Sequence, residues 1–268
     1  AIFGCLFGHS SLAISEEAQH EICFNFTIII KQLDDVSEVV QFKQQKSLIH
    51  EELLRTQSVF DKNMEQSCPN IKFEHMTGYK RTKNLATGNI RFYEGRYLQG
   101  VVAGLMTKTN KIGYVGAYPI SEVIMGINAF AQGLRSVNEK ASISVIWANT
   151  WYDPVKEADA AKVHIAEGAD ILAQHTDSPA ILQIAEKKGV LGFGQSTDMS
   201  TFAPKAQMFA SINNWGPYYI KKIEALRNKK WNTGEAPDHW GGNTWGGLKS
   251  DMLTISKFSN MPANVAKK

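Results

Sequence analysis

The stretch ISVIWANTWYDP, residues 143–154, joins the end of one predicted element to the start of the next. Its β-branched, apolar beginning predicts a buried strand. Asp153 is a favoured helix N-cap residue, and Pro154 suits the first helical position, where its missing N–H is not needed. Trp151 and Tyr152 therefore lie between a strand's carboxyl end and a helix N-terminus, where open α/β sheets bind ligands. The two rings suit a flat ligand, although they could instead pack under a neighbouring loop.

The same order of strand and helix repeats on both sides of this stretch. Strands are predicted at residues 112–116, 143–147, 170–174 and 190–193, and helices at 121–137, 154–167 and 178–189. Four strands that alternate with three helices predict a parallel sheet with right-handed crossover connections. The chain is therefore expected to have an α/β fold.

The carboxyl ends of parallel strands meet at one edge of a sheet, and here they carry polar and aromatic side chains. The residues at these ends are Tyr118, Trp151, Tyr152, His175, Thr176, Asp177, Gln195, Ser196 and Asp198. A polar and aromatic rim over an apolar sheet is what a small-molecule site requires. Asp177 and Asp198 have a second interpretation, because aspartate is also a favoured helix cap. His164 is expected on a helix surface.

The remaining segments extend this pattern in both directions. Strands or extended segments are predicted at residues 2–7, 22–30, 71–75, 84–91, 207–212 and 252–255, and helices at 32–64, 93–106 and 218–228. The glycines of the helix at 93–106 would allow it to pack closely on a neighbour. Residues 10–63 contain no recognisable motif.

Composition excludes several classes of protein. The 268 residues are 43% hydrophobic and 21% charged, as in ordinary globular chains, and the net charge is only +3. No basic run or zinc-ligand spacing indicates nucleic-acid binding. The three cysteines form no CxxC pair, so neither a disulfide scaffold nor a metal site is expected. No apolar run reaches the ~20 residues of a membrane span, and any export signal is expected to precede residue 1.

No catalytic motif is present. His175, Asp177 and Ser178 are too close in sequence to form a relay, since a nucleophile and its base face each other from separate segments. The serine lacks the G-x-S-x-G elbow, and the glycines at 192–194 lack the third glycine of a dinucleotide fingerprint. A binding protein is therefore favoured over an enzyme.

Seven motifs carry a family resemblance. They are KFEHMTGYK (72–80), RFYEGRYLQG (91–100), KIGYVG (111–116), WYDP (151–154), QHTDSPA (174–180), STDMS (196–200) and NWGPYY (214–219). The chain thereby resembles the BMP (basic membrane protein) family, substrate-binding lipoproteins of ABC importers that are related to purine-nucleoside receptors. The resemblance covers about residues 69–262.

The resemblance implies a two-lobed type I periplasmic-binding fold, with parallel sheets flanked by helices and the ligand held between the lobes. The implied division places a first lobe at residues 1–110, with an atypical insert at about 10–63, and a second lobe at 111–204. A return segment at 205–230 then leads back to the first lobe, and a tail at 231–268 is expected to pack on the second lobe.

The resemblance also implies a function: delivery of a purine base or nucleoside to an ABC permease. Such a protein would be periplasmic or on the cell surface, lipid-anchored in its precursor, monomeric, and without cofactor or nucleic-acid partner. Trp151 corresponds to the aromatic residue that stacks on the base, and Ser196 to an aspartate that holds ribose hydroxyls. Because serine lacks paired acceptor oxygens, an adenine-like base is favoured over a nucleoside. Trp151 and Trp215 could close the space that ribose would fill, although Trp215 could equally be a core residue.

The amino-terminal part departs from the family pattern. Family members have an early glycine-rich loop whose aromatic residue completes the base sandwich, and this sequence shows no counterpart. Residues 2–8 resemble the family's third strand, so the first lobe is expected to be incomplete. Two alternatives stay open: a truncated remnant that binds nothing, and a ligand-sensing regulator built on the same fold.

Overall fold

The computed structural model describes residues 2–6, 72–78, 81, 83–231 and 243–267. The strand predicted at 22–30 and the helix predicted at 32–64 lie outside these residues. The chain forms two units: Ala1–Ile90 with Trp215–Gly246, and Arg91–Asn214 with Gly247–Lys268.

The strands in chain order are β1 (Ile2–Leu6), β2 (Lys72–Met76), β3 (Leu85–Ile90), β4 (Lys111–Gly116), β5 (Ser142–Trp147), β6 (Ile171–His175), β7 (Leu191–Ser196), β8 (Gln207–Asn213), β9 (Asn243–Gly246) and β10 (Leu253–Ile255). The α-helices are α1 (Phe92–Met106), α2 (Ser121–Arg135), α3 (Pro154–Ala166), α4 (Ala180–Lys188), α5 (Gly216–Arg227) and α6 (Ala263–Ala266). A 3₁₀ helix covers Leu248–Ser250. None of the helices in the described ranges is long and apolar enough to cross a bilayer.

The first unit contains a four-stranded sheet in the order β1-β2-β3-β9, in which every neighbouring pair is parallel. Strand β9 was not predicted, because its four residues, NTWG, show no alternation of apolar and polar side chains. It forms by pairing with β3, a partner more than 150 positions away in the chain.

The second unit contains a six-stranded sheet in the order β10-β8-β7-β6-β4-β5, and only β10 runs antiparallel to its neighbour. Helices cover both faces. One core joins α1 and α2 to residues such as Tyr114 and Phe193, and the other joins α3 and α4 to residues such as Val115 and Leu172. The predicted α/β fold, with parallel sheets flanked by helices, is confirmed.

Strand β4 shows how side chains alternate between these two cores. Tyr114 packs edge-on against Phe130 of α2, with ring centroids 5.7 Å apart. On the other face, Gly113 leaves room for His164 of α3. The prediction that His164 lies on a helix surface is wrong: its side chain is buried, and Nε2 lies 3.3 Å from the Tyr114 carbonyl oxygen. Burial lowers the pKa of His164, so the neutral ring is favoured.

The units divide the chain differently from the predicted lobes. The first boundary falls at Ile90/Arg91, not near residue 110, because α1 packs along α2 in the second unit. The return to the first unit begins at Trp215, after β8. The tail from 231 is shared, since β9 pairs with β3 whereas the segment from Gly247 belongs to the second unit.

The close packing of α1 on α2 can be tested by substituting a glycine at their contact. A Cβ atom on Gly133 would overlap the carbonyl oxygen of Tyr97, which belongs to the backbone of α1 and cannot rotate away. We expect Gly133→Ala to lower the free energy of unfolding by about 1–3 kcal/mol, as overpacking does. Chemical denaturation would measure this change.

Gly126, on the same helix, is the matched control. A Cβ there would meet no atom closer than 3.5 Å, and alanine is favoured over glycine in a helix interior by about 1 kcal/mol. Gly126→Ala should therefore be neutral or stabilising. Equal effects of the two substitutions would contradict the proposed α1–α2 contact.

Candidate functional site

Aromatic rings line the carboxyl edge of the second unit's sheet. Tyr118 follows β4 and Trp151 follows β5, and their ring centroids are 5.6 Å apart in an edge-on arrangement. His175, the last residue of β6, lies 6.1 Å from Trp151 and 6.0 Å from Phe92 of α1. Three predicted site residues therefore form one continuous row. Phe92 was not predicted, because it lies at the start of a helix and not at a strand end.

The turn before α3 positions Trp151 and Tyr152 differently. Asn149 adopts a left-handed conformation with φ of +54°, and Thr150 Oγ1 accepts a 3.3 Å hydrogen bond from the Tyr152 backbone N–H. Trp151 is half-buried beside its neighbours, whereas Tyr152 is 63% exposed. The predicted N-cap is confirmed, since Asp153 Oδ1 accepts from the N–H groups of Val155 and Lys156.

The His175 ring contacts Glu122, an acidic residue that the sequence did not indicate as part of the site. The ring is 3% exposed, and Nε2 lies 3.5 Å from Oε1 of Glu122, in the first turn of α2. Burial, which outweighs this carboxylate, lowers the pKa of His175, so the ring is neutral near pH 7. A neutral ring that donates from Nε2 to Glu122 has Nδ1 as an acceptor.

Arg96 is a positive charge near His175. Arg96 of α1 is buried, and it donates hydrogen bonds to the amide oxygens of Gln99 and Gln195. Its charge further lowers the pKa of His175. Gln195 was expected at this edge of the sheet. Its side-chain oxygen accepts a hydrogen bond from the Arg96 guanidinium group.

Asp177 follows β6, and its backbone is hydrogen-bonded to the backbone of Trp151. Its backbone N–H donates a 2.8 Å hydrogen bond to the carbonyl oxygen of Trp151. The amide of Gln174 fixes the same loop by donating to the carbonyl oxygens of Thr176 and Ser178, each at 2.9 Å. The capping interpretation is wrong for Asp177, because Ser178 Oγ accepts from the N–H at the start of α4.

The Asp177 carboxyl group has an unusual charge environment. The residue is exposed. Partial desolvation by the surrounding protein, followed by the negative charges of Glu157 and Glu122, raises the pKa of Asp177 to about 6. The group therefore titrates close to neutral pH.

The Asp198 carboxylate forms hydrogen bonds within and beside its own turn. Its Oδ1 accepts from Gln207 Nε2 at 2.7 Å and from the Ser200 N–H at 3.0 Å. These hydrogen bonds, the one from Gln207 first, lower the pKa of Asp198. No helix starts here, so the carboxylate caps a turn and not a helix.

Ser196 and Trp215 complete the set of predicted residues. Ser196 ends β7 with φ of +59°, and its Oγ accepts a 3.0 Å hydrogen bond from Asn213 Nδ2 on β8. Trp215 belongs to the first unit, where its ring packs against Tyr218 at 5.8 Å and Tyr219 at 6.5 Å. All the predicted site residues except Trp215 belong to the second unit. Within the described ranges, no three His, Cys, Asp or Glu side chains are placed to hold a metal ion.

Comparison with known proteins adds independent information. A family model described as ABC transporter substrate-binding protein PnrA-like matches residues 13–265. A purine-binding protein of Brucella abortus is 47% identical over 199 residues, which are 74% of this chain and 55% of that protein. A relative from Haloferax volcanii, whose name describes ABC transporter glucose binding, is 41% identical over 66% of this chain and 44% of its own length. The chain thus spans about half the length of these two relatives.

A solved structure extends the likeness of the fold. The crystal structure of an ABC transporter solute-binding protein from Aeropyrum pernix superposes with a TM-score of 0.65 at 14% identity. The match covers 96% of this chain and 75% of that protein. The fold is that of the type I periplasmic-binding proteins.

Proposed function

Because the chain belongs to the PnrA-like family of ABC transporter substrate-binding proteins, we propose that it binds a purine base and delivers it to an ABC permease. The family acts outside the cytoplasm and performs no catalysis. The name of the Brucella relative supports a purine as the ligand. A lipid anchor, which the resemblance implies, is part of the same proposal.

The observation that carries the proposal is the row of rings at the carboxyl edge of the second unit. Trp151 is half-buried and braced on two sides, by Tyr118 and by His175. A braced indole at the end of a parallel strand is a suitable stacking surface for a base, and every base has a π-face. The Asp177 carboxylate adds an acceptor for ligand N–H groups, and the backbone N–H of the same residue donates a hydrogen bond to the Trp151 carbonyl oxygen.

Isothermal titration calorimetry with adenine, guanine and hypoxanthine would test the proposal. Binding of at least one purine with a Kd in the micromolar range or below is expected, together with a rise in melting temperature that grows with ligand concentration. Absence of purine binding to a folded protein would refute it.

Sugar binding is the second candidate, because the Haloferax relative is named for glucose. An indole can also pack against the apolar face of a sugar ring, so the aromatic row does not by itself exclude it. Glucose therefore belongs in the same titration. Saturable binding of glucose without binding of any purine would replace the first candidate with the second.

We further propose that the site prefers adenine over adenosine. Ser196 corresponds by resemblance to a ribose-binding aspartate, yet its hydroxyl already accepts a hydrogen bond from Asn213. Each ribose hydroxyl left unpaired in a closed site costs about 1–3 kcal/mol. Adenine should therefore bind at least about fivefold more tightly than adenosine, as measured by competitive titration.

Ser196→Asp provides the matched test of this preference. Aspartate tolerates the left-handed backbone at this position and supplies two acceptor oxygens. The substitution should raise the affinity for adenosine relative to adenine. Tighter binding of adenosine than adenine by the unsubstituted protein would contradict the proposed role of Ser196.

A further inference from the structure

Three carboxyl groups follow the three strands that carry the aromatic row. Asp177 follows β6, Glu122 is in the first turn of α2, and Glu157 is in the first turn of α3. The negative charges of both glutamates add to desolvation in raising the pKa of Asp177. Asp177 is the exposed member, and its backbone N–H donates a hydrogen bond to the Trp151 carbonyl oxygen.

Glu157 shows that this group is not a set of ordinary solvated acids. The side chain is completely buried, and its Oε1 accepts a 3.0 Å hydrogen bond from the Asp153 N–H. Its Oε2 is also buried, and no donor within the described residues reaches it. A buried carboxylate oxygen without a hydrogen-bond donor is costly.

The positive charges nearby do not neutralise the three acids. Within the part of the chain that the structure describes, no Lys or Arg side chain forms an ion pair with Asp177, Glu122 or Glu157. Among the described residues Glu122 pairs with His175 alone, and that ring is neutral near pH 7. Arg96 approaches His175 from α1, but its hydrogen bonds go to Gln99 and Gln195. This edge therefore presents acceptors and negative charge to a ligand.

We propose that Asp177 selects the ligand of this site by charge, accepting an N–H edge of a neutral, amino-substituted base and rejecting anionic heterocycles. This inference rests on the proposed function, because it takes the aromatic row as the stacking surface. An aminopurine supplies the donors that the carboxylate lacks. An anion would instead face the Asp177 carboxylate, with the charges of Glu122 and Glu157 adding to the repulsion between like charges.

The same arrangement makes binding depend on pH in a defined direction. With a pKa of about 6, Asp177 is ionised above neutral pH and accepts N–H groups. Below pH 6 it becomes protonated, and its new O–H group opposes a ligand donor. At about pH 5 only around one molecule in ten carries the carboxylate, so adenine affinity should fall about tenfold from its value at about pH 7.5.

Stability of the unliganded protein should change in the opposite direction. A carboxyl group with a raised folded-state pKa stabilises the fold in its protonated form, and that contribution is lost as pH rises through about 6. Asp177→Asn should therefore raise the melting temperature of the free protein above pH 6 and have little effect below about pH 4. If Asp177 served only to stabilise the fold, its replacement would instead lower the melting temperature.

The deciding experiment is calorimetric titration of adenine and of urate, an anion at neutral pH, at about pH 7.5 and about pH 5. The proteins are the unsubstituted chain, Asp177→Asn, and the control Asp159→Asn, which alters a solvent-exposed carboxylate on α3. For Asp177→Asn we expect a roughly ten- to hundredfold loss of adenine affinity at the higher pH, no tenfold pH dependence, and a relative gain for urate. The control should behave like the unsubstituted chain.

Two results would overturn the inference while leaving purine binding intact. One is adenine binding by the unsubstituted chain that does not change between the two pH values. The other is a folded Asp177→Asn protein with unchanged adenine affinity. If no purine binds the unsubstituted protein, the proposed function fails and this inference fails with it. The pH profile of the unsubstituted chain decides the question even if Asp177→Asn does not fold.

Discussion

Trp151→Ala is expected to weaken purine binding by roughly ten- to a hundredfold, or more. Stacking of a base on an aromatic side chain contributes about 1–3 kcal/mol, and alanine removes the whole surface. The effect should be at the upper end because Tyr118 and His175 brace the indole, so little rotational freedom is lost when the ligand binds. Calorimetric titration with adenine would measure the change.

Trp151→Phe is the control for this experiment. Phenylalanine keeps an aromatic face at the end of β5, so it should retain most of the affinity, whereas alanine should not. Circular dichroism and the melting temperature of the free protein would show that both variants fold. Unchanged adenine affinity in a folded Trp151→Ala protein would be incompatible with Trp151 as the stacking surface.

The second large effect concerns the first unit, where Lys222→Met is expected to lower the free energy of unfolding by about 3–5 kcal/mol. Glu74 of β2 and Lys222 of α5 are both completely buried, with Oε1 and Nζ 3.0 Å apart. Burial outweighs the lysine charge and raises the pKa of Glu74, while it lowers the pKa of Lys222. Methionine matches the length of the lysine stem but leaves the glutamate charge buried without its cation.

The double variant Glu74→Gln with Lys222→Met separates charge from packing. Glu74 also accepts hydrogen bonds from the Tyr218 hydroxyl and from Trp231 Nε1, and a glutamine oxygen can still accept one of them. The double variant should therefore regain much of the stability lost in Lys222→Met, because no unpaired charge remains. Chemical denaturation followed by circular dichroism would compare the proteins. A double variant as unstable as the single one would show that the ion pair is not the cause.

The elements of the second unit could be predicted because their signals are local. Asp153 and Pro154 mark the start of α3, and Gly189 ends α4 with the left-handed φ of +68° that glycine tolerates. Strand β7 was predicted too short, at residues 190–193, because Gly194, Gln195 and Ser196 are not apolar. They continue the strand through pairing with β8, which no local pattern encodes.

Other errors arose where a contact between distant segments overrides the local pattern. His164 has the spacing of a helix-surface residue, yet the absence of a side chain at Gly113 of β4 makes room for it in the core. The boundary between the units was misplaced for a similar reason. The helix α1 follows β3 in the chain, but its glycines fit it against α2.

The sequence by itself determined the α/β class, the family, and the strand ends where Tyr118, Trp151, His175 and Asp177 lie. Those inferences depend on periodicity, capping and motifs, which are properties of short segments. Only the tertiary structure decided which neighbours surround these groups. It exposed Asp177 to the negative charges of Glu122 and Glu157, and it formed the hydrogen bonds of Asp198 with Gln207 and of Ser196 with Asn213. Parallel strands bring residues far apart in the chain to one edge, so the charge and hydrogen bonding of each group there depend on neighbours that sequence spacing does not specify.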